Sequence, residues 1–90
     1  EGRVRVAVYG AVQGVGFRWF VREAARSLDL TGYVLNRPDG AVLLEAAGPA
    51  DAVARLIHTV QNGPPAARVE RLETLPPTTD LLPTPFAIRH

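Results

Sequence analysis

The chain is short, nearly neutral and free of cysteine and lysine. Its 90 residues are 47% hydrophobic, and ten arginines against nine acidic residues leave a net charge of +1. No apolar run approaches the ~20 residues that span a membrane, and the charge balance gives no support to a nucleic-acid partner. Disulfides, thiolate metal sites, a cysteine nucleophile and a lysine Schiff base are excluded. We therefore expect one soluble cytoplasmic domain over residues 1–90, with a single core and a shallow site.

A strand and a helix are predicted in the first third of the chain. Over residues 3–9, Val4, Val6 and Val8 fall on one side, and Arg3, Arg5 and Tyr9 fall on the other, which is the period of a half-buried strand. A glycine-rich loop follows. Apolar residues then recur at helical spacing: they are Phe17, Phe20, Val21, Ala24 and Leu28. The segment Leu30-Thr31-Gly32 is expected to end this helix.

The middle of the chain predicts a hairpin and a second helix. Residues 32–36 and 41–47 are β-type runs, and Arg37-Pro38-Asp39-Gly40 between them suits a tight turn. The next helix opens at Gly48-Pro49, because proline needs no N–H in the first turn. Its inward residues are Val53, Leu56, Ile57 and Val60, and Asn62-Gly63-Pro64-Pro65 ends it.

The last third predicts two further strands separated by an exposed connection. Residues 67–75 form a fourth strand, in which the three-residue spacing of Val69 and Leu72 indicates a bulge. Four prolines within 76–85 exclude a central strand there, and Phe86-Ala87-Ile88 is a short terminal strand. The order β-α-β-β-α-β predicts an α+β ferredoxin-like sandwich, with two helices packed on one face of an antiparallel sheet.

The segment from Gly10 to Arg18 carries the clearest chemical signal. Its three glycines allow successive backbone N–H groups to turn toward one point, and the following helix adds the positive end of its dipole. The planar guanidinium of Arg18 could then bond two phosphate oxygens. Alternatively, the glycines only permit a tight crossover and Arg18 is solvated. The loop alone leaves both interpretations open.

Two strings in the sequence resemble the signatures of the acylphosphatase family. Residues 10–18 are similar to the family's Gly-x-Val-Gln-Gly-Val-Gly-Phe-Arg string, and residues 32–42, closing with Gly48, are similar to its second motif, which contains Asn and Asp-Gly. Gly63-Pro64 before Val69, and residues 86–89, also resemble family landmarks. Ala11, where the family often carries a polar side chain, and the proline-dense stretch before Phe86 depart from the pattern.

The resemblance implies a metal-independent hydrolase that cleaves the carboxyl–phosphate bond of acyl phosphates. It implies that Arg18 and Asn36 are catalytic, with Arg18 binding phosphate and Asn36 orienting the attacking water. The implied phosphate-binding loop consists of Gln13, Gly14, Val15, Gly16, Phe17 and Arg18. We expect no cofactor and no metal, an acyl phosphate substrate and inorganic phosphate as product. No nucleic-acid or membrane partner is expected, and the chain is expected to be a monomer.

Competing interpretations exist for the other notable residues. From its position alone, Asn36 could simply hydrogen-bond the local backbone before a turn, and Asp39 is better explained as a turn former than as an acid catalyst. Trp19 is ambiguous between a packing and a stacking role. His58 and His90 lie outside both motifs and lack neighbours at metal-ligand spacing.

Two other functions are compatible with the sequence of the whole chain. One is an acylphosphatase-like domain of a hydrogenase-maturation carbamoyltransferase, and the other is a non-catalytic ferredoxin-like module that binds an anion or metabolite. RNA-binding platforms of this fold expose aromatics on the central strands, where strands one and three offer only Tyr9.

Overall fold

The computed structural model describes residues 1–90 and contains two helices and a five-stranded sheet. The elements in chain order are β1 (Gly2–Ala11), α1 (Phe17–Ser27), β2 (Thr31–Asn36), β3 (Val42–Gly48), α2 (Ala50–Asn62), β4 (Arg68–Leu75) and β5 (Ala87–Ile88). Every predicted helix and strand is therefore present, with boundaries shifted by a few residues. Neither helix combines the length and the hydropathy that crossing a membrane requires.

The strand order is β4-β1-β3-β2-β5. The pairs β1–β3, β1–β4 and β2–β3 are antiparallel, as the ferredoxin-like prediction requires. The sheet is nevertheless mixed, because β5 runs parallel to β2, with Tyr33 opposite Ala87 and Val34 opposite Ile88. A parallel neighbour needs a crossover from the far edge of the sheet, and the proline-rich segment between β4 and β5 provides it.

The main core lies between the sheet and the two helices. Helix α2 buries Val53, Leu56 and Val60 as its pattern predicted, whereas Ile57 is only partly buried. Helix α1 buries Phe17, Val21 and Ala25, and the predicted Phe20, Ala24 and Leu28 pack only at the edge of the core. Helix α1 ends at Ser27 because Asp29 turns the chain with a φ of 56°.

The bulge predicted in the fourth strand is confirmed where β4 pairs with β1. Tyr9 lies opposite Arg71 and Gly10 lies opposite Val69, which leaves Glu70 as an extra residue. At Gly10, where φ is 136°, a Cβ atom would lie 2.1 Å from the carbonyl oxygen of Arg68. Only glycine fits at this approach, and β1 stays paired with β4 up to Ala11, where the strand ends and the loop follows.

The segment 76–85 covers part of the sheet face that the helices leave open, so the prediction of an exposed connection is wrong in part. Leu82 is buried there in a second cluster with Ala7, Tyr33 and Leu43. These strand residues alternate with those of the main core and point the other way. Apolar side chains on that face favour coverage, and a segment rich in proline can supply it without adding a strand.

A buried carboxylate, that of Glu45, holds the segment after β4 against the sheet through hydrogen bonds to Thr78. Glu45 on β3 is 0% exposed and accepts hydrogen bonds from Arg3 Nε (3.0 Å), the Tyr33 hydroxyl (3.0 Å), and the Thr78 amide (2.8 Å) and hydroxyl (2.9 Å). Burial by itself raises the pKa of Glu45, but the hydrogen bonds from Thr78, Arg3 and Tyr33 outweigh it and lower the pKa. The carboxylate is therefore charged and fully partnered.

Candidate active site

The loop between β1 and α1 is fixed at both ends by buried side chains. Val12 and Phe17 both belong to the main core. Between them, Gly14 and Gly16 have φ values of 76° and 75°, and a Cβ atom at either would meet nothing within 4 Å. Glycine is needed there for the left-handed backbone and not for space. The outer side of the loop is consequently open to an approaching molecule.

The backbone amides of residues 13–18 have no acceptor in the protein. None of the backbone hydrogen bonds outside the regular elements begins at these residues, and no side-chain oxygen accepts from them. The first amides of α1 lack acceptors because the helix has no preceding turn. Six consecutive amide donors without acceptors therefore lie in and beside one loop, at the positive end of the α1 dipole. Backbone amides at a helix N-terminus are a common binding site for oxyanions.

Arg18 stands in the first turn of α1 with its charge uncompensated. The three salt bridges of the structure involve other arginines. Its Nη1 lies 3.2 Å from Nδ1 of His90, so a neutral imidazole can accept this hydrogen bond while the guanidinium keeps its full charge. Four of the five N–H donors remain for another ligand.

Asn36 is the last residue of β2, and its Oδ1 is buried without a hydrogen-bond partner. The side chain of Asn36 makes no hydrogen bond to the local backbone, so the alternative structural interpretation of this residue is not supported. The turn is closed by Asp39 instead, which accepts from the Ala41 amide at 3.1 Å and from Arg37. The Ala41 amide and the Arg37 guanidinium hold the pKa of Asp39 below its usual range. Asp39 is a turn former, as expected.

The side chain of Gln13 connects the loop to the β2–β3 turn. Its Nε2 donates to the carbonyl oxygens of Arg37 (2.9 Å) and Ala41 (3.0 Å). These two bonds hold the loop against the segment that follows Asn36. The sequence singled out Gln13 only for its backbone amide, because a contact over more than 20 residues leaves no local pattern.

A cleft of about 170 Å³ lies over this loop. Its lining residues are Val12, Gly14, Gly16, Phe17, Arg18, Trp19, Asn36, Ile88 and His90. The two candidate catalytic residues are therefore brought together with three members of the predicted phosphate-binding loop. Gln13 and Val15 do not line the cleft.

Sequence reasoning missed the two residues that the end of the chain contributes to the lining of the cleft, Ile88 and His90. Ile88 and His90 reach the cleft because β5 pairs in parallel with β2 and the Arg89 amide donates to the Val34 carbonyl at 2.8 Å. Only the fold brings residues so distant in sequence beside Arg18. No group of three His, Cys, Asp or Glu side chains is arranged to hold a metal ion.

The fold and the site together define a class of protein. It is a ferredoxin-like α+β domain in which a loop of unpaired backbone amides, ending at an arginine, joins the first strand to the first helix. The sequence model of the acylphosphatase family matches residues 4–88, and the chain belongs to that family. This confirms the predicted hydrolase, an acylphosphatase with an acyl phosphate as substrate and inorganic phosphate as product.

Individual relatives agree with this assignment. The chain is 55% identical over 73 residues to an acylphosphatase of Salinibacter ruber, covering 81% of this chain and 77% of the relative. The crystal structure of acylphosphatase from Bacillus subtilis superposes with a TM-score of 0.86 at 36% identity, covering 98% of both chains. HypF of T. kodakarensis matches with a TM-score of 0.82 at 30% identity over 97% of this chain but only 12% of its own.

Proposed function

We propose that this chain hydrolyses acyl phosphates by holding the phosphate on the amides of residues 13–18 and on Arg18, while Asn36 orients the attacking water. The observation that carries the proposal is the shared cleft. The uncompensated Arg18, a loop of amides without protein acceptors and Asn36 all contribute to it, and the amide oxygen of Asn36 has no partner within the protein. Each group supplies what one part of the reaction needs.

Phosphate binding rests on charge and on preformed donors. The loop amides and the α1 dipole stabilise an anion without any side chain having to move. Arg18 adds a permanent charge and can grip two oxygens at once. No Asp or Glu side chain lines the cleft, so no acidic side chain there repels the substrate.

The chemical step needs orientation more than a strong base. The water oxygen attacks phosphorus, the bond from phosphorus to the bridging oxygen breaks, and its electron pair leaves with the carboxylate. The proton released by the water is taken up by a phosphate oxygen. Asn36 Oδ1 accepts one hydrogen bond from the water and so directs its lone pair at phosphorus. Positioning and charge stabilisation suffice because the transition state is loose and carboxylate is a good leaving group.

We further propose that the reaction needs no metal ion, because Arg18 neutralises the phosphoryl oxygens that a metal would otherwise hold. The test is hydrolysis of acetyl phosphate and benzoyl phosphate with EDTA present. We expect full turnover in the chelator. Turnover that EDTA abolishes and Mg²⁺ restores would contradict this part of the mechanism, and no turnover in either condition would contradict the function itself.

The second candidate is a domain with the same fold that serves a larger carbamoyltransferase. It is favoured by the HypF match, in which this chain corresponds to a small part of a long protein. Over nearly the whole chain, identity to the Bacillus subtilis acylphosphatase is 36% against 30% for HypF, which supports the first candidate. A kcat/KM at least tenfold higher for carbamoyl phosphate than for acetyl phosphate would reverse that preference. A non-catalytic module would bind phosphate without turnover.

We infer that residues 1–90 act as one domain, because residues from Val12 to His90 line a single cleft, and we propose that this domain acts as a monomer. Light scattering at the concentration of the activity assay tests this. A dimer that loses activity on dilution would show that the site depends on a second copy.

A further inference from the structure

Trp19 is an exposed aromatic side chain that packing does not explain. Only two large apolar side chains are exposed, Trp19 at 57% and Leu81 at 96%. Trp19 belongs to neither core cluster and is not among the partly buried apolar residues packed against them. Single exposed apolar residues are common on protein surfaces, but Trp19 directly follows Arg18 and lines the same cleft. Its position calls for a role in the site.

The cleft is too small to enclose a whole substrate with a large acyl group. Its volume of about 170 Å³ is below the ~300–1,000 Å³ of pockets that bury drug-sized ligands. A phosphate and the first atoms of the acyl group would occupy it. Any larger acyl group must then lie against the side chains at its rim.

The remaining wall of the cleft consists of two apolar side chains and one histidine. The glycines and Arg18 hold the phosphate in the proposed mechanism, and Asn36 holds the water. In-line displacement directs the leaving group away from that water. Of the lining residues not yet used, Val12 and Phe17 are buried, which leaves Trp19, Ile88 and His90 to meet the acyl group. No Asp or Glu side chain and no free cation accompanies them to favour a charged acyl group.

We propose that Trp19, together with Ile88, forms the acyl subsite, and that it makes the enzyme prefer acyl phosphates with aromatic or extended apolar acyl groups over acetyl phosphate. The inference rests on the proposed function and adds a substrate class to it. An aromatic acyl group can stack on the indole face, whereas an acetyl group covers little of it. Contact differences of this kind change relative rates by about tenfold.

The first experiment compares kcat/KM for benzoyl phosphate and acetyl phosphate in the wild type, Trp19→Ala and Trp19→Phe. We expect Trp19→Ala to lower the benzoyl-to-acetyl ratio about tenfold and Trp19→Phe to keep most of it. The intrinsic reactivities of the two substrates cancel when ratios are compared between variants. Leu81→Ala, which changes the other exposed apolar side chain outside the cleft, is the matched control and should leave the ratio as it is.

The second experiment measures binding without turnover. Trp19 is the only tryptophan, so its fluorescence reports directly on this position. Wild-type protein is titrated with benzoylmethylphosphonate and acetonylphosphonate, in which CH₂ replaces the bridging oxygen, and with inorganic phosphate. We expect the aromatic phosphonate to change the emission saturably and to bind at least several-fold more tightly than acetonylphosphonate.

Several results would overturn the acyl subsite. These are equal affinities for the two phosphonates, an unchanged benzoyl-to-acetyl ratio in Trp19→Ala, or an equal loss on both substrates together with weakened phosphate inhibition. Failure of the proposed function gives a different result. Wild-type protein would then hydrolyse neither substrate, while a preference for the aromatic phosphonate in the titration would still support an aromatic subsite.

Discussion

Two polar clusters in this small protein have opposite hydrogen-bonding states. Around Glu45, on the open face of the sheet, a buried carboxylate accepts four hydrogen bonds from three residues. In the loop before α1, six amides and the guanidinium of Arg18 have no carboxylate or carbonyl partner. A buried charge is stable only when it is partnered, whereas a binding site must keep its donors free. The first cluster therefore holds the fold, and the second is available for a ligand.

The largest effect is expected from Arg18→Ala, which removes the only cation of the second cluster. By analogy with arginine fingers, kcat/KM for acetyl phosphate should fall by about 10³-fold or more. Arg18→Lys should recover little, since a point charge cannot reproduce a planar two-point grip. The melting temperature should change little because the guanidinium has no structural partner other than His90. Near-normal turnover in either variant would place the phosphate elsewhere.

Asn36→Ala should separate chemistry from binding. Turnover should fall by about 10²–10³-fold, the usual effect of losing one preorganised hydrogen-bonding group. Inhibition by inorganic phosphate should change little, since the loop and Arg18 remain. Asn36→Asp should not restore turnover, because a negative charge beside the phosphate repels the substrate.

Melting, phosphate inhibition and turnover are measured on the same Asn36→Ala preparation. Asn36 Oδ1 has no partner to lose, so the folded protein should be about as stable as the wild type. A lowered melting temperature with normal turnover would make Asn36 a structural residue and refute its catalytic assignment.

Substitution of Glu45 should have the opposite effect to substitution of Arg18 or Asn36: stability should fall while turnover is retained. Glu45→Ala leaves the donors of Arg3, Tyr33 and Thr78 unpaired, and it should lower the free energy of unfolding by about 3 kcal/mol. Glu45→Gln keeps an acceptor oxygen and should lose less. Turnover per folded molecule should stay near that of the wild type in Glu45→Gln. A catalytic loss without a stability loss would show that the two clusters are not functionally separate.

The smallest effect concerns the dependence of stability on acid. The pKa of Glu45 is lowered in the folded protein from its ordinary value of 4.5. Its contribution to stability is therefore fully present above pH 4.5 and is lost as the pH falls through the lower folded pKa. Unfolding in urea between pH 3 and 6 should show stability falling with acid, less steeply in Glu45→Gln.

Asp39 has a pKa lowered in the same direction, so Asp39→Asn is the matched control for the acid experiment. Asp39 is exposed in a turn, and its contribution should be much smaller. If stability no longer fell with decreasing pH in Asp39→Asn, but still fell in Glu45→Gln, the roles assigned to the two carboxylates would be reversed.

Much of the fold could be predicted because it depends on local pattern. The alternation of residues 3–9, the helical stripe of α2 and the Asp39-Gly40 turn each depend on neighbours within a few residues. The bulge at Glu70 was also visible, since an extra residue disturbs the two-residue period. The family motif likewise brought Arg18 and Asn36 forward as candidates, and the fold places both at one cleft.

Other features could not be predicted because they join residues far apart in sequence. Glu45 looks like one charged residue in an apolar strand until Arg3 and Thr78 are seen beside it. The hydrogen bond from Gln13 to the β2–β3 turn and the contact of His90 with Arg18 also join residues that are distant in sequence. None of these pairs has a spacing that a helix or strand would repeat.

The sequence by itself determined the elements of this protein, its family and the loop proposed to bind phosphate, because periodicity, turn chemistry and glycine conformation act within short stretches of chain. Only the tertiary structure decided which side chains complete the site and which fasten the fold. The parallel pairing of β5 with β2 brings Ile88 and His90 to the cleft, and the crossover that permits this pairing buries Leu82 and binds Glu45. Both outcomes depend on how the last segment packs across the sheet, and packing between distant segments leaves no local pattern.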